Sequence, residues 1–172
     1  MGYYDEFAPG YDELHRAEQE RKLGRIIVLA QGQTLLEGAV LDVGCGTGFG
    51  LDLVAAALRR PCTGIEPSTG MRKQYRGEQE IIQGRAEALP FPGETFAAGV
   101  SVTSVQNFAD PAQGLQELWR VVKKGGFVFV SCLKQSNALK TVVGVLGDLF
   151  TVLSVEEDRH DLIFVCKKEA FK

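Results

Sequence analysis

Short continuous apolar runs alternate along this chain with stretches whose apolar positions recur every three or four residues. Residues 39–43 (AVLDV) form an apolar run that ends at glycines, the pattern of a strand covered on both faces. Residues 61–65, 80–83, 95–102 and 127–132 (FVFVSC) predict four further strands. Residues 12–31 carry Leu14, Ala17, Leu23, Ile26, Ile27 and Ala30 at helical spacing. Helices are also predicted at 51–58, 68–76, 110–121 and 136–147. Ser68 is placed to cap one of them through its side-chain oxygen. Asp110 and Pro111 have the residue types of an N-cap and a first helical position, and Lys124-Gly125-Gly126 ends that helix. Residues 149–155 and 161–167 read as two strands joined by a polar turn. Strands alternating with helices predict an α/β fold: a doubly wound, mostly parallel seven-stranded sheet with helices on both faces. The last two strands break the alternation, which predicts an antiparallel C-terminal strand at the sheet edge.

Composition agrees with one soluble domain over residues 1–172, of which 1–31 would be an N-terminal cap helix segment. Of the 172 residues 45% are hydrophobic and 24% charged, enough apolar side chain for a core and too much for disorder. With 19 basic and 22 acidic residues, global charge gives no reason to expect nucleic acid. The cysteines Cys45, Cys62, Cys132 and Cys166 are scattered, so neither a metal site nor a disulfide framework is expected. No signal-peptide pattern opens the chain, and its most apolar stretch is too short to span a bilayer, so a cytoplasmic location is expected.

The chemistry concentrates at residues 40–48, VLDVGCGTG, where a strand passes through a glycine loop into a helix. Glycines allow a sharp turn and close approach to a ligand, and amides at a helix start favour an anion. The dinucleotide pattern G-x-G-x-x-G fails in both registers, with Phe49 or Leu51 at its last position, and no P-loop lysine follows. The loop therefore suits a nucleoside-like ligand without a diphosphate. Glu66, at the end of the second strand, can accept both hydroxyls of a ribose.

These residues resemble the class I S-adenosylmethionine-dependent methyltransferases, most closely the ubiquinone/menaquinone-biosynthesis C-methyltransferase-like branch. The resemblance is carried by VLDVGCGTG (40–48), GIEPSTGM (64–71), GRAEALPFPGETF (84–96) and DPAQGLQELWRVVKKGGFVFV (110–130). It implies a Rossmann-like fold and S-adenosylmethionine as cofactor, with S-adenosylhomocysteine as product. Gly44, Cys45, Gly46 and Gly48 would lie under the methionyl part. Asp42 would help hold its amino group, and Glu66 its ribose. Pro67, Met71, Arg85 and Ala86 would flank the adenine, and Thr103 would join the cofactor-binding set. Tyr3, Tyr4 and Tyr11 fall in a segment resembling one that covers the cofactor or acceptor. Two positions depart from the family pattern. Arg85 replaces a common Asp and cannot accept a hydrogen bond, so only its backbone contact transfers. Ala97 replaces another acid.

For methyl transfer from a sulfonium, orientation of the acceptor can supply most of the catalysis. A base is needed only if the acceptor must lose a proton. Thr103, Ser104, Gln106 and Asn107 follow the fourth strand, and His15 is the one histidine on the N-terminal helix. Thr103, Gln106 and His15 stand as weak catalytic candidates, and His160 is expected at the surface. The chain has a short segment after the fifth strand where relatives carry a lid. Its acceptor pocket would then be open, or completed by another chain. A small-molecule acceptor is the favoured reading. A catalytic subunit acting on tRNA or protein with an activator, a homodimer and a non-catalytic adenosyl-binding subunit stay open. Arg21, Lys22, Arg25, Arg72, Lys73 and Arg76 are read as solvated helix faces, with a nucleic-acid patch as the other reading.

Overall fold

The structure is a computed structural model that describes residues 3–170, with side chains from Arg16 onward. The side chains of Tyr3, Tyr4, Tyr11 and His15 lie outside the described residues. Helix α1 (Tyr3–Gln31) is followed by β1 (Val40–Val43), α2 (Phe49–Leu58), β2 (Cys62–Glu66), the short α3 (Thr69–Arg72), β3 (Glu80–Gln83) and β4 (Phe96–Val102). After a 3-10 turn at Val105–Asn107 come α4 (Pro111–Val121), β5 (Val122–Leu133), α5 (Leu139–Leu149), β6 (Thr151–Asp158) and β7 (Asp161–Lys167). The seven strands form one sheet in the order β3-β2-β1-β4-β5-β7-β6.

Alternation along the strands sorts side chains to the two faces. Leu41, Val43, Val128 and Val130 join Leu115, Leu118, Val142 and Leu146 in a core under α4 and α5. Val40, Val100, Phe127 and Phe129 pack with Leu23, Ile26, Leu51 and Val54 under α1 and α2. Both faces are covered, which accounts for the uninterrupted apolar runs. Asp42 shares the period of Val40, so its carboxylate is committed to the α1/α2 side.

The α/β architecture and the count of strands agree with expectation, but the antiparallel strand is not at the edge. β7 lies between β5 and β6 and runs antiparallel to both. β6, the edge strand, therefore runs in the same direction as β1–β5. A hairpin places its two strands side by side without dictating which joins the sheet. β7 takes the inner place because Ile163, Phe164, Val165 and Cys166 are apolar on both faces and fully covered. β6 exposes Val152, Leu153 and Val155.

Ser68 accepts from the Met71 amide at 3.1 Å as its residue type predicts, but α3 stops at Arg72 rather than Arg76. Asp110 caps α4 by accepting from Ala112 and Gln113 at 3.0 and 3.1 Å. Lys124, Gly125 and Gly126, expected to end that helix, lie within β5, which begins at Val122 directly after α4. Lys168, 3% exposed, directs its ammonium to the carbonyls of Trp119 and Val122, each at 2.8 Å, and sits over the Trp119 ring. A cation is favoured there by the free carbonyls at the helix end. Lys168→Met removes both charge-assisted hydrogen bonds and is expected to cost about 2–3 kcal/mol, read as a lower denaturant midpoint at unchanged m.

The basic face of α1 is solvated only in part: Arg25 is exposed as expected, Arg21 is half-buried and Lys22 is buried. Arg21 pairs with Asp158 and Arg25 with Glu156, while Lys22 is 1% exposed and ion-paired with Asp161. These residues staple α1 to the β6–β7 hairpin. The composition of α1 alone shows its charges but not the acids that the fold brings opposite them.

Candidate functional site

The sheet order reverses between β1 and β4, and ligand clefts in open α/β sheets form at the carboxyl ends beside such a point. The glycine loop leaves β1 there. Gly44, Gly46 and Gly48 adopt φ of +78°, +59° and +78°. At Gly44 space is limiting as well, because a Cβ would fall 2.6 Å from that of Ser104. At Gly46 only the backbone conformation calls for glycine, since a Cβ would meet nothing nearer than Met71 Cε at 3.9 Å. The open side of the loop is the side a ligand would approach.

Two hollows flank the loop. The larger, about 240 Å³, runs from Glu66, Pro67 and Met71 past Arg85–Glu87 to Thr103, Ser104 and Asn107. The smaller, about 50 Å³, lies toward α1 and is lined by Gln19, Leu23, Asp42, Cys45, Thr47 and Phe49 among others.

Glu66 is buried at the end of β2. Its Oε2 accepts from Gly46 N–H at 3.1 Å and its Oε1 from Ser68 N–H at 2.8 Å. A carboxylate offers about four lone-pair directions, and these two amides help to fix its plane. Asp42 is 5% exposed, and its Oδ1 has no hydrogen-bond partner among the described residues. Burial, followed by the nearby charge of Glu66, pushes its pKa up to about 7. A buried acid lacking a donor, beside a hollow, is suited to a ligand cation. The residues present therefore fit an adenosyl amino acid: a buried acid at the end of β2, a second buried acid with an unpartnered oxygen, and an open glycine turn between them.

Gly44, Gly46, Glu66, Pro67, Met71, Arg85, Ala86 and Thr103 line the larger hollow, and Asp42 and Cys45 the smaller. Gly48 lines neither and serves as the N-cap residue of α2. Burial first, then the charges of Asp42 and Glu66, raises the Cys45 thiol well above its ordinary pKa, so it is no nucleophile. Arg85 has a 62% exposed side chain and pairs with Glu87 at 3.4 Å. Gln106 lines neither hollow; its amide donates to the Thr103 carbonyl at 2.8 Å. Thr103 has φ +50°, a left-handed conformation that costs a β-branched residue about 1–3 kcal/mol.

Ile65, Glu87, Val102, Phe108, Ala109 and, from α1, Gln19 and Leu23 line the hollows without having been singled out from sequence. Gln19 was within reach, since it lies four residues before the core residue Leu23 and so on the same helix face. Glu87 was not, because its anchor is distant: its Oε1 accepts from Asp110 N–H at 3.1 Å. Burial works against its ionised form, but backbone amides of Glu87, Asp110 and Ala109 outweigh it and hold its pKa below the usual value.

This arrangement defines an adenosyl-binding methyltransferase domain. A methyltransferase-domain family matches residues 41–130, and the chain belongs to that family of S-adenosylmethionine-dependent enzymes. Over 143 residues it is 35% identical to the demethylmenaquinone methyltransferase of Chlorobaculum tepidum, covering 74% of this chain and 56% of that relative. Over 100 residues it is 38% identical to a chloroplastic 2-methyl-6-phytyl-1,4-hydroquinone methyltransferase of Oryza sativa, covering 55% of this chain and 29% of the other. The chain thus spans about half the length, or less, of these curated relatives. Among solved structures, a methyltransferase in complex with the Haloferax volcanii Trm112 activator shares the fold with a TM-score of 0.83 at 15% identity, over 98% of this chain and 99% of that one.

Proposed function

We propose that this chain carries out S-adenosylmethionine-dependent methyl transfer to a small molecule of the hydroquinone class. The observation that carries the reading is the pair of buried acids, Asp42 and Glu66, on either side of the open glycine loop. S-adenosylmethionine would supply a methyl group on a sulfonium that leaves without needing a proton. Glu66 would bind the ribose hydroxyls and Asp42 the amino group. The loop glycines would underlie the methionyl chain, and Pro67, Met71 and Ala86 would border the adenine. With Arg85 turned to Glu87, the adenine edge would be read by backbone rather than by that side chain.

Among the described residues lining the larger hollow, the acids are Glu66 and Glu87. Both accept backbone amides, so neither is poised as a general base. The Thr103 hydroxyl is hydrogen bonded to Lys22 and Asp161. The chain's contribution is therefore to hold the acceptor in line with the methyl group and exclude water. That role suits an electron-rich ring of the kind named for the curated relatives. No described helix is long and apolar enough to cross a membrane. Three buried cysteines without disulfides accord with a reducing cytoplasm.

A second reading rests on the end-to-end match to the activator-bound methyltransferase: a catalytic subunit that needs a partner chain to act on tRNA or protein. One experiment separates the two. The chain is incubated with methyl-labelled donor and, in parallel, a demethylated quinol, tRNA and protein fractions. Label is expected in the quinol without any added protein, with S-adenosylhomocysteine bound at a roughly micromolar Kd. Label entering tRNA or protein only when an activator is supplied would favour the second reading.

A further inference from the structure

The buried charges beneath α1 lie outside the cofactor-binding set, yet they converge on a residue of the cleft wall. The Lys22 ammonium is ion-paired with Asp161 Oδ2 at 2.5 Å and Glu18 Oε1 at 2.7 Å and donates to Thr103 Oγ1 at 3.2 Å. The Thr103 hydroxyl donates to Asp161 Oδ1 at 3.2 Å, and its N–H donates to Ser131 Oγ at 2.7 Å. α1, β5 and β7 thus each supply a group that grips one residue at the end of β4. Lys22, Ser131 and Asp161 are essentially inaccessible to solvent.

Stability is a weak explanation for this cluster, because buried ion pairs seldom outperform apolar side chains of the same volume. Orientation is a stronger one. Thr103 holds a left-handed backbone conformation that a β-branched residue leaves unless its surroundings enforce it. The cluster provides that enforcement. Thr103 borders the cleft on the β4 side of β1, opposite Glu66 on the β2 side.

We propose that Lys22 is a positioning residue: with Asp161 and Ser131 it locks the Thr103 turn, and so ties α1 rigidly to the cleft wall against which the acceptor is held. The part played by the acceptor rests on the methyltransferase reading; the grip on Thr103 does not.

The test uses threonine γ-methyl groups labelled with carbon-13 in the full chain, the Thr103 signal being identified by its loss in Thr103→Val. In Lys22→Met the Thr103 signal is expected to move by more than its linewidth. Lys22→Met/Asp161→Leu, which removes both charges together, is expected to melt near the wild-type temperature while the Thr103 signal stays displaced. S-adenosylhomocysteine is expected to shift the Thr103 signal of the wild type, and to shift it less in both variants. A Thr103 signal at its wild-type position in the double variant would overturn the proposal, since a cluster that only fills space is replaceable by apolar groups. Calorimetry of the wild type with S-adenosylhomocysteine reads the cofactor assignment separately. Absence of binding there would sink that assignment and leave the position of the unliganded Thr103 signal to decide the grip.

Discussion

Asp42→Asn is expected to make the free protein more stable at pH 8 and to weaken S-adenosylhomocysteine binding at the same time. In the folded protein Asp42 keeps its proton up to about pH 7, against an ordinary value of 3.8. Between these limits the folded state binds more protons than the unfolded chain, so stability falls as pH rises through the window. Above it the ionised buried carboxylate costs on the order of 2–4 kcal/mol, which the amide avoids. A rise in melting temperature of roughly 5–15 °C follows for a domain of this size. Binding has the opposite dependence. An ammonium ligand requires the ionised acid, so wild-type affinity is expected to increase as pH rises toward 7, by up to about tenfold per unit, and then to level off. In Asp42→Asn affinity is expected to be lower by more than about tenfold and flat with pH. Calorimetric titrations at pH 6, 7 and 8 check this, and a pH-independent wild type would remove Asp42 from the amino-group site.

Glu66→Ala has the larger effect on affinity. The carboxylate joins the glycine loop to the start of α3 through Gly46 and Ser68, and would also receive the ribose hydroxyls. Charge-assisted hydrogen bonds contribute about 1.5–3 kcal/mol each, so losing two to the ligand predicts a Kd weaker by at least about 100-fold. Glu66→Gln keeps one oxygen acceptor and is expected to fall between the two. Equal affinity in wild type and Glu66→Ala, measured by calorimetry, would place the sugar elsewhere.

The features legible in the sequence were those whose cause is local. Ser68 and Asp110 cap helices because a short polar side chain meets its own chain two or three residues on, and spacing alone reveals that. Residues 44, 46 and 48 are glycine for reasons of backbone conformation, and a motif records those well. Asp42 and Glu66 could be singled out because each lies in a recognisable segment, at or next to the end of a strand. What escaped were pairings across long intervals of chain. Lys22 reads as one of several surface charges until Asp161, contributed by the start of β7, is brought beneath α1. Glu87 reads as a loop acid until α4 presents the Asp110 amide. The place of β7 escaped for a related reason: the hairpin is local, but the competition between its two strands for β5 is decided by burial of the whole sheet.

That competition bears on the order in which the molecule is made. β5 can pair with β4 as soon as both have left the ribosome, but its other side must wait for residues 161–167. β6, synthesised earlier, has no place in the sheet until β7 arrives to bridge it to β5. Through that interval the nascent chain carries an unpaired β5 border and an orphan strand containing Val152, Leu153 and Val155, a period in which premature association with a neighbouring chain competes with completion of the fold.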